Sequence, residues 1–462
     1  MLKRIEQIAA RLAAQGIIPG QRIAILSEPR PEFVTLTLAC WKLGAVIVPL
    51  STRCPPGRLR MAWQSVGCKR LFVSPTAEHN AQLSLHAAAD NLNPSTHAAD
   101  EMSAAVHLIS DYVPASDLAP LTLDELALDL NADASIIFTS GTSGRPKGVL
   151  HTLANHYYNA LGSHDNIPFG TGDGWLASLS MYHVGGFSLI MRALIAAGRI
   201  LFPDPNQSLA EAVMHPDVTH LSLVPTQLIR LLDEPACVGR LKRLKAILLG
   251  GDAIPPTLLD RACDLNLPVS ITYGSTEAAS QIATSVPHRP RDGAKVLAYR
   301  DVKIATDGEI CVKGPVLFKG YVRHDSIDLA RDSEGWFHTG DTGTLDENGT
   351  IRVTGRKDLM FISGGENIHP EEIERALLSL PDIEQAAVVP VPDPYFSHRP
   401  VAFIRTRAGK TLDRNQLQAE LANHLERFKI PKAFLPWPAA LSDSPKPPRS
   451  RLAELAAISL RA

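Results

Sequence analysis

The segment from Thr139 to Gly148 combines the residue types that bind phosphate. An apolar run, Ser135–Thr139, leads into a stretch of glycine and hydroxyl residues that ends in Arg145, Pro146 and Lys147. Glycines allow a backbone to approach a ligand closely and to present several N–H groups to one anion. The hydroxyl groups add donors, and Lys147 adds a positive charge. This composition and spacing predict a loop that binds a phosphate chain.

Three other interpretations fit this glycine-rich segment less well. A Walker A loop requires Gly-x-x-x-x-Gly-Lys, a spacing that the segment does not have. The nucleophile elbow of hydrolases requires Gly-x-Ser-x-Gly, and Arg145 stands where the last glycine should be. A flexible Gly/Ser linker seldom follows a buried strand or ends in Pro-Lys-Gly. Phosphate binding is therefore the favoured function of this loop.

The segment resembles the signature loop of the acyl-adenylate-forming enzymes, which include acyl-CoA synthetases, luciferases and the adenylation domains of peptide synthetases. The family loop usually has threonine at the position of Ser143, which keeps a hydroxyl. Four further segments resemble motifs of this family, in the same order along the chain: Leu249–Ala253, Ile271–Glu277, Trp336–Asp341 and Gly355–Asp358. The resemblance therefore covers most of the chain rather than one loop.

This resemblance implies a two-step reaction. A carboxylic acid would attack the α-phosphorus of ATP to give an acyl-adenylate and pyrophosphate, and a thiol would then attack the acyl group. The implied cofactors are ATP and Mg²⁺, with coenzyme A as co-substrate. Glu277 would hold Mg²⁺, because this hard cation prefers carboxylate and phosphate oxygens. No protein nucleophile is needed, which agrees with the lack of a recognisable catalytic triad.

The resemblance also assigns ATP contacts to individual residues. Tyr273 would stack on the adenine, with a core tyrosine as the alternative interpretation. Asp341 would accept hydrogen bonds from the ribose hydroxyls, with a simple turn residue as the alternative. Thr276 would contact the α-phosphate. The complete implied set is Thr139, Ser140, Gly141, Thr142, Ser143, Gly144, Lys147, Gly251, Asp252, Tyr273, Gly274, Thr276, Asp341 and Arg356.

A histidine matches a further family position beside the acyl pocket. His183 follows an apolar run and corresponds to the family residue that separates the nucleotide from the acid. A histidine with only a structural role is the alternative interpretation. The expected catalytic residues are therefore His183, Glu277 and Lys446.

Three segments resemble the o-succinylbenzoate–CoA ligase branch of the family, which serves menaquinone biosynthesis: Leu223–Leu232, Leu244–Pro255 and Phe396–Val401. Arg192 lies in an otherwise apolar helix shortly after His183, and a buried guanidinium requires an anion. The second carboxylate of this acid would supply the anion, with Ser188 one turn earlier as a further contact. Two alternatives stay open: Arg192 extends to solvent, or it pairs with an internal acid. Another aryl or medium-chain acid is the alternative substrate.

The C-terminal segment departs from the family pattern. The family has a lysine for adenylation near its C-terminus, and aligning Arg451 with the family arginine puts Pro448 at that position. Lys446 and Arg449 are the nearest cations. We name Lys446, because arginine is a poor substitute for a compact ammonium beside phosphate. An ATP-binding pseudoenzyme with an impaired lysine loop is therefore the alternative function.

The resemblance further implies that a small C-terminal domain rotates between the two half-reactions. The hinge would be Asp358. Gly364 and Gly365 would line the channel for the pantetheine arm of coenzyme A, since glycines leave room for a narrow ligand close to the backbone.

Strands and helices that alternate along the chain are expected to position these residues. Short apolar runs alternate with helical patterns over the first 300 residues, which predicts a mostly parallel sheet. From about Val302, turns between short strands predict a small barrel-like β unit. The predicted fold is α/β: a large N-terminal domain (1–355) of mostly parallel sheets flanked by helices plus that β unit, then a small mobile α+β domain (356–462). Expected strands are Arg22–Leu26, Ala45–Leu50, Leu71–Val73, Ser135–Thr139, Trp175–Leu179, His220–Val224, Ala246–Leu249 and Val269–Thr272. Residues 76–118 show weak periodicity and are expected to form a variable surface region.

Composition excludes several classes of function. The 462 residues carry a net charge of −2, which argues against a nucleic-acid binder that works through bulk charge. Six cysteines without a CxxC pair argue against a zinc ribbon or a disulfide framework. We recognise no signal peptide and no membrane span, so we expect a cytoplasmic protein whose partners are small molecules. The sequence leaves the oligomeric state open, with a homodimer as one alternative.

Overall fold

The computed structural model describes residues 2–54, 56–78, 106–112, 121–139, 147–323, 326–363, 366–393, 396–407, 410, 413–422, 425–441 and 448–460. The chain forms two compact units. The first consists of Met1–Gly251, Leu267–Val302 and Val312–Phe337, and the second consists of Asp252–Asn266, Lys303–Cys311 and His338–Ala462. The predicted domain boundary between residues 355 and 356 stays a prediction.

The first unit contains ten described helices: α1 (Leu2–Ala14), α2 (Pro31–Lys42), α3 (Pro56–Ser65), α4 (Ile109–Tyr112), α5 (Leu123–Leu126), α6 (Leu153–Asn166), α7 (Val184–Ala196), α8 (Leu209–Val213), α9 (Pro225–Leu232) and α10 (Pro235–Leu241). The second contains α11 (Pro256–Asp264), α12 (Pro370–Leu378), α13 (Arg414–Ala422) and α14 (Arg449–Ser459). Short 3₁₀ turns cover Pro290–Asp292, Arg427–Lys429 and Ala439–Leu441. Within the described ranges, every helix is too short or too polar to cross a membrane.

The strands, in chain order, are β1 (Arg22–Leu26), β2 (Val46–Leu50), β3 (Arg70–Val73), β4 (Val106–Leu108), β5 (Asp133–Thr139), β6 (Lys147–Thr152), β7 (Gly174–Leu176), β8 (Arg199–Leu201), β9 (His220–Leu223), β10 (Ala246–Gly250), β11 (Val269–Ser275), β12 (Ser280–Thr284), β13 (Ala294–Val296), β14 (Asp301–Ile304), β15 (Glu309–Lys313), β16 (Gly320–Arg323), β17 (Ser326–Asp328), β18 (Phe337–Leu345), β19 (Thr350–Arg356), β20 (Phe361–Ser363), β21 (Glu366–Ile368), β22 (Ile383–Asp393), β23 (Ser397–Thr406) and β24 (Ala433–Pro436).

Two sheets organise the first unit. One has the order β17-β16-β6-β5-β2-β1-β3-β4, with parallel pairs from β5 to β4 and antiparallel pairs from β5 to β17. In the other, the consecutive strands that lie in the first unit run β13-β12-β11-β10-β9-β7-β8, and the pairs from β11 to β8 are parallel. The mostly parallel architecture expected for this part of the chain is therefore present.

Both faces of the first sheet are covered, which explains why its central strands read as continuous apolar runs. In β1, Ile23 and Ile25 belong to one buried cluster, whereas Ala24 and Leu26 belong to another. Successive side chains of a strand point to opposite faces, so the two clusters lie on the two sides of the sheet. The first cluster also contains Phe187 of α7 and thereby ties the helix with the acid-site candidates to the core.

Two expectations about strands and surface regions are wrong in part. The expected strand Trp175–Leu179 ends at Leu176, because the backbone N–H of Ser178 turns back to the carbonyl of Leu176. Within the expected surface region, β4 pairs in parallel with β3, and Ile109 and Tyr112 of α4 are buried. Weak periodicity hid these short elements, since three or four residues are too few to show a period.

In the second unit, the long antiparallel pair β22–β23 has a helix on each face. Val388 packs in a cluster with Ile373 of α12, whereas its neighbour Val389 packs in a cluster with Leu452 of α14. The antiparallel pair β18–β19 carries the motif residues near Asp341.

Candidate active site

Thr139 and Lys147 lie opposite each other at one end of a β-hairpin. They are register partners in the antiparallel pair β5–β6, so the sheet holds together the two ends of the predicted phosphate loop. Lys147 is exposed at this end. The predicted loop residues between them lie outside the described residues: Ser140, Gly141, Thr142, Ser143 and Gly144.

The segment with Tyr273, Thr276 and Glu277 continues from β11 into the turn before β12. Gly274 lies so close to β12 that a Cβ atom there would be 1.9 Å from the carbonyl oxygen of Ser280. Only glycine fits this approach, which explains its place in the motif. Tyr273 is half-buried, which argues against the alternative of a core tyrosine.

Glu277 is held by a residue that the sequence analysis did not single out. The hydroxyl of Tyr321 in β16 donates to Glu277 Oε1 at 2.8 Å, and the backbone N–H of Phe318 donates to the Glu277 carbonyl at 2.7 Å. The ring of Tyr321 also lies 5.0 Å from Lys147 Nζ. Tyr321 is 44 positions from Glu277, so no local motif could have indicated the contact.

The backbone carbonyl of Thr276 is hydrogen-bonded to a chain of buried polar side chains. His151 Nε2 donates to the Thr276 carbonyl at 2.7 Å, so its Nδ1 can accept from the hydroxyl of Ser135 at 3.3 Å. His156 Nε2 then donates to Ser135 Oγ at 2.8 Å. Burial lowers the pKa of His151 to about 4, and burial together with repulsion from His151 lowers the pKa of His156 well below its ordinary value. Both rings are therefore neutral at physiological pH.

These buried histidines predict a loss of stability in mild acid. The pKa of His151 falls from 6.5 when unfolded to about 4 when folded, so folding favours its neutral form. The stabilisation is complete above pH 6.5 and is lost as pH falls towards 4. We expect His151 alone to lower the free energy of unfolding by roughly 2 kcal/mol at pH 5 relative to pH 7.5. Urea unfolding at the two pH values measures the effect.

The control for this prediction is His151→Gln. Glutamine keeps a donor for the Thr276 carbonyl and an acceptor for Ser135, but it does not titrate. The acid-induced loss should therefore be smaller in this variant by roughly the same 2 kcal/mol. An identical loss in both proteins would show that His151 does not stay neutral in the folded state.

His183 begins the helix that carries the acid-site candidates. It is the residue before α7, is exposed, and its ring lies 4.5 Å from that of Tyr182. Ser188, one turn before Arg192, is buried, and its hydroxyl lies 3.4 Å from that of Ser280. The helix thus connects the exposed His183 with a buried polar region.

Arg192 is a buried cation in that region. Its side chain is buried (4% exposed), its Nη2 donates to Gln281 Oε1 at 2.7 Å, and its guanidinium lies 5.2 Å from the Trp175 ring. Its Nε has no hydrogen-bond partner, and no acidic side chain of the described residues pairs with it. Both alternatives, extension to solvent and pairing with an internal acid, are therefore wrong for the described part of the chain.

A second buried arginine adds positive charge to the same interior. Arg300 is 5% exposed and donates from Nη1 to the carbonyl of Gln281 at 3.0 Å. The pKa of Arg300 is lowered to about 9, mainly by burial and to a smaller extent by repulsion from Arg192. Burial lowers the pKa of Arg192 to about 10. Two guanidiniums thus share Gln281, an uncharged partner, and an anion entering this region would be attracted.

In the second unit, Arg356 joins two carboxylates of the predicted site. Its Nη1 donates to Asp341 Oδ1 at 2.9 Å and its Nε donates to Asp358 Oδ1 at 3.0 Å. Burial alone would lower the pKa of Arg356, but the bonds to both carboxylates raise it. Asp341 lies inside β18 opposite Arg356 of β19, so the alternative of a turn residue is wrong.

The remaining predicted residues are placed only in part. Gly251, with a φ of +79°, adopts a conformation that favours glycine, and Asp252 after it is exposed. Arg449 forms an ion pair inside the second unit, because both its Nη atoms donate to Glu374, at 2.6 and 2.9 Å. Gly364, Gly365 and Lys446 lie outside the described residues.

Comparison with known families explains this arrangement. The model of the AMP-binding enzymes matches residues 1–322, and the model of the AMP-binding enzyme C-terminal domain matches residues 372–442. The chain belongs to the AMP-binding enzyme family. The predicted resemblance to acyl-adenylate-forming enzymes is confirmed.

Two proteins of this family illustrate the similarity. The 2-succinylbenzoate–CoA ligase of Geobacillus kaustophilus is 33% identical over 443 residues, which are 92% of this chain and 85% of that protein. Among solved structures, o-succinylbenzoate CoA synthetase from Bacillus subtilis in complex with its acyl-adenylate intermediate gives a TM-score of 0.79 at 29% identity, covering 97% of this chain and 91% of that one. The same Bacillus subtilis protein with ATP and magnesium gives 0.76 at 29% identity, covering 94% and 89%.

This chain shares its architecture with these AMP-binding enzymes. Both are α/β proteins with a large N-terminal sheet domain and a smaller C-terminal domain, so the predicted fold class is confirmed at that level.

Proposed function

We propose that this protein is an ATP-dependent ligase that joins o-succinylbenzoate to coenzyme A through an acyl-adenylate, as a step of menaquinone biosynthesis. The observation that supports this choice of acid is Arg192. It is a buried guanidinium that an uncharged Gln281 contacts and that no described carboxylate neutralises. A dicarboxylic substrate supplies the missing anion with the carboxylate that does not react.

The reaction proceeds in two displacements. One carboxylate oxygen of the acid attacks the α-phosphorus of ATP, and the bond from that phosphorus to the bridging oxygen breaks as pyrophosphate leaves. The thiol of coenzyme A then loses its proton and attacks the activated carbonyl, and AMP leaves. The protein contributes orientation and charge stabilisation in both steps rather than a nucleophile of its own.

The nucleotide-side residues of the first unit suit these roles. Thr139 and Lys147, at the two ends of the hairpin loop, would contact the β- and γ-phosphates. Tyr273 would stack on adenine, and Thr276 would contact the α-phosphate. His183, exposed at the start of α7, would separate the nucleotide from the acid held by Arg192 and Ser188.

Glu277 is a suitable ligand for magnesium. Among the described residues, no group of three or more His, Cys, Asp or Glu side chains could hold a metal ion by itself. Mg²⁺ usually binds through one or two carboxylates together with substrate phosphates, so a single Glu277 beside the phosphate loop fits this ion. When bound with ATP, magnesium would offset the charge of the phosphates.

The second unit would supply ribose and thiol contacts. Asp341 would accept from the ribose hydroxyls beside Arg356, and Asp358 would be the hinge about which residues 356–462 rotate against residues 1–355. Gly364 and Gly365 would line the path of the pantetheine arm.

A cytoplasmic location and a homodimer also stay predictions. Light scattering of the purified chain tests whether it forms a homodimer.

An assay of CoA-thioester formation over a panel of acids tests the proposed function. The panel contains o-succinylbenzoate, benzoate, anthranilate and straight-chain acids of several lengths. We expect o-succinylbenzoate to give the highest kcat/KM, by at least 100-fold over benzoate, because only the diacid pairs with a buried cation. Activity confined to straight-chain or simple aryl acids would overturn the assignment of o-succinylbenzoate as the substrate. Absence of acid-dependent exchange of pyrophosphate into ATP would indicate a pseudoenzyme.

Replacing Lys446 by alanine tests which cation serves adenylation. We expect acid-dependent exchange of pyrophosphate into ATP to fall about 100-fold while ATP binding is unchanged, since a lysine at the reacting phosphate acts mainly in the transition state. Lys410→Ala is the control, because Lys410 is exposed and pairs with Asp382. A Lys446→Ala variant that exchanges at the wild-type rate would remove Lys446 from the site.

A further inference from the structure

Tyr321 contacts two residues of the proposed site at once. Its hydroxyl donates to Glu277 Oε1 at 2.8 Å, and its ring lies 5.0 Å from Lys147 Nζ. Among the described residues, no other hydrogen bond or ion pair reaches the Glu277 carboxylate. Hydrogen bonds to an ionised carboxylate are stronger than those between neutral groups, and an ammonium is attracted to the face of an aromatic ring. Tyr321 therefore links Lys147 to Glu277.

The backbone around Tyr321 is anchored to the same two elements. Tyr321 is the register partner of Val149 in β6, the strand that begins at Lys147. Three residues earlier, the N–H of Phe318 donates to the carbonyl of Glu277 at 2.7 Å. Because backbone bonds on both sides fix β16, the side chain of Tyr321 projects from a rigid support.

We propose that Tyr321 is a positioning residue that orders Glu277 for Mg²⁺ and Lys147 for the phosphates of ATP. This proposal rests on the function proposed above. The hydroxyl fixes the rotamer of the carboxylate through Oε1 and leaves Oε2 available to a cation. The ring restricts the ammonium of Lys147, a long side chain whose ordering otherwise costs entropy when ATP binds.

The two contacts predict two separable effects. Removing the hydroxyl alone disorders Glu277, so it weakens the effect of magnesium on ATP binding. Removing the ring as well releases Lys147, so it also weakens the binding of metal-free ATP. A tyrosine with only a packing role would instead change the stability of the fold and leave the dependence on magnesium unaltered.

Tyr321→Phe tests the first effect. We expect the Mg²⁺ concentration that gives half of the maximal enhancement of ATP binding to rise about 10-fold, measured by calorimetry without the acid. The Kd of ATP in the presence of a chelator should stay within twofold of the wild-type value. The KM of Mg·ATP in pyrophosphate exchange should rise in parallel.

Tyr321→Leu tests the second effect. We expect the Kd of metal-free ATP to rise about fivefold, in addition to the shift in Mg²⁺ dependence. The thermal unfolding midpoint of each variant is measured as well, because Tyr321 also packs against Phe318, with ring centres 4.9 Å apart. Tyr321→Phe keeps this ring contact and should unfold within about 2 °C of the wild type.

The matched control is Tyr158→Phe in α6. Tyr158 is also half-buried, and its ring lies 5.3 Å from that of Tyr299. This variant should bind ATP and magnesium as the wild type does. A Tyr321→Phe protein with the wild-type Mg²⁺ dependence would overturn the proposal, provided that the wild type binds Mg·ATP. A wild type that does not bind Mg·ATP would instead overturn the proposed function and this role with it.

Discussion

Replacing Glu277 by glutamine should lower acid-dependent exchange of pyrophosphate into ATP by about 100- to 1000-fold. Glutamine keeps the size of the side chain, and its Oε1 can still accept from the Tyr321 hydroxyl that lies 2.8 Å from Glu277. The substitution therefore removes mainly the negative charge. Without that charge the metal is held less well beside the phosphates, and charge that builds in the transition state is no longer offset. Exchange of labelled pyrophosphate at saturating ATP measures the loss.

A second measurement separates loss of the metal from loss of the fold. Raising Mg²⁺ should restore part of the exchange in Glu277→Gln, and the thermal unfolding midpoint should stay close to that of the wild type. Glu384→Gln is the matched control, because Glu384 is exposed on β22 of the second unit and belongs to no part of the proposed site. Full exchange by Glu277→Gln at low Mg²⁺ would show that another group holds the metal.

Replacing Arg192 by leucine should raise the KM for o-succinylbenzoate by about 100-fold or more. Truncating one partner of a buried charge pair costs 2–5 kcal/mol, which is roughly 30- to 5000-fold in affinity. The effect should be specific for the acid, because Arg192 contacts Gln281 and Trp175 on the inside of the first unit rather than residues predicted to bind ATP. Steady-state thioester formation with o-succinylbenzoate varied at saturating ATP and coenzyme A gives the value.

The decisive comparison is between a diacid and a monoacid. Benzoate has no second carboxylate, so Arg192→Leu should leave its kcat/KM unchanged or raise it, since an apolar pocket suits an uncharged ring better than an unpaired cation. Arg230→Leu is the control, because Arg230 is exposed on α9. Equal losses for both acids would mean that Arg192 supports the fold and does not recognise the carboxylate.

Several elements of the fold were predictable from local pattern. The limits of β1 agree with the sequence analysis at both ends, because an apolar run bounded by turn residues marks a buried strand. The expected strand Trp175–Leu179 extends three residues beyond the end of β7 at Leu176, since the segment that follows the strand still contains apolar residues. The short strand β4 was missed because three residues carry no measurable period.

The candidate site was predictable only where motif and chemistry coincide. Lys147 follows from a segment whose composition predicts phosphate binding, and Glu277 follows from a segment that resembles a motif of the family. Tyr321 does not, because its role depends on a contact with Glu277 across 44 positions. His151 is a stronger case, since its bond to the carbonyl of Thr276 spans 125 positions and involves the backbone, which leaves no trace in residue type.

By itself the sequence determined the family, since the motifs that mark it are short runs of residue types in a fixed order, and the resemblance to that family implied the type of reaction. Whether Arg192 extends to solvent, pairs with an acid or stays without one was decided only by the tertiary structure. Its partner Gln281 is 89 positions away, and burial is a property of the packed chain. Desolvation and charge depend on neighbours brought together by folding, so the same arginine could have had any of the three roles.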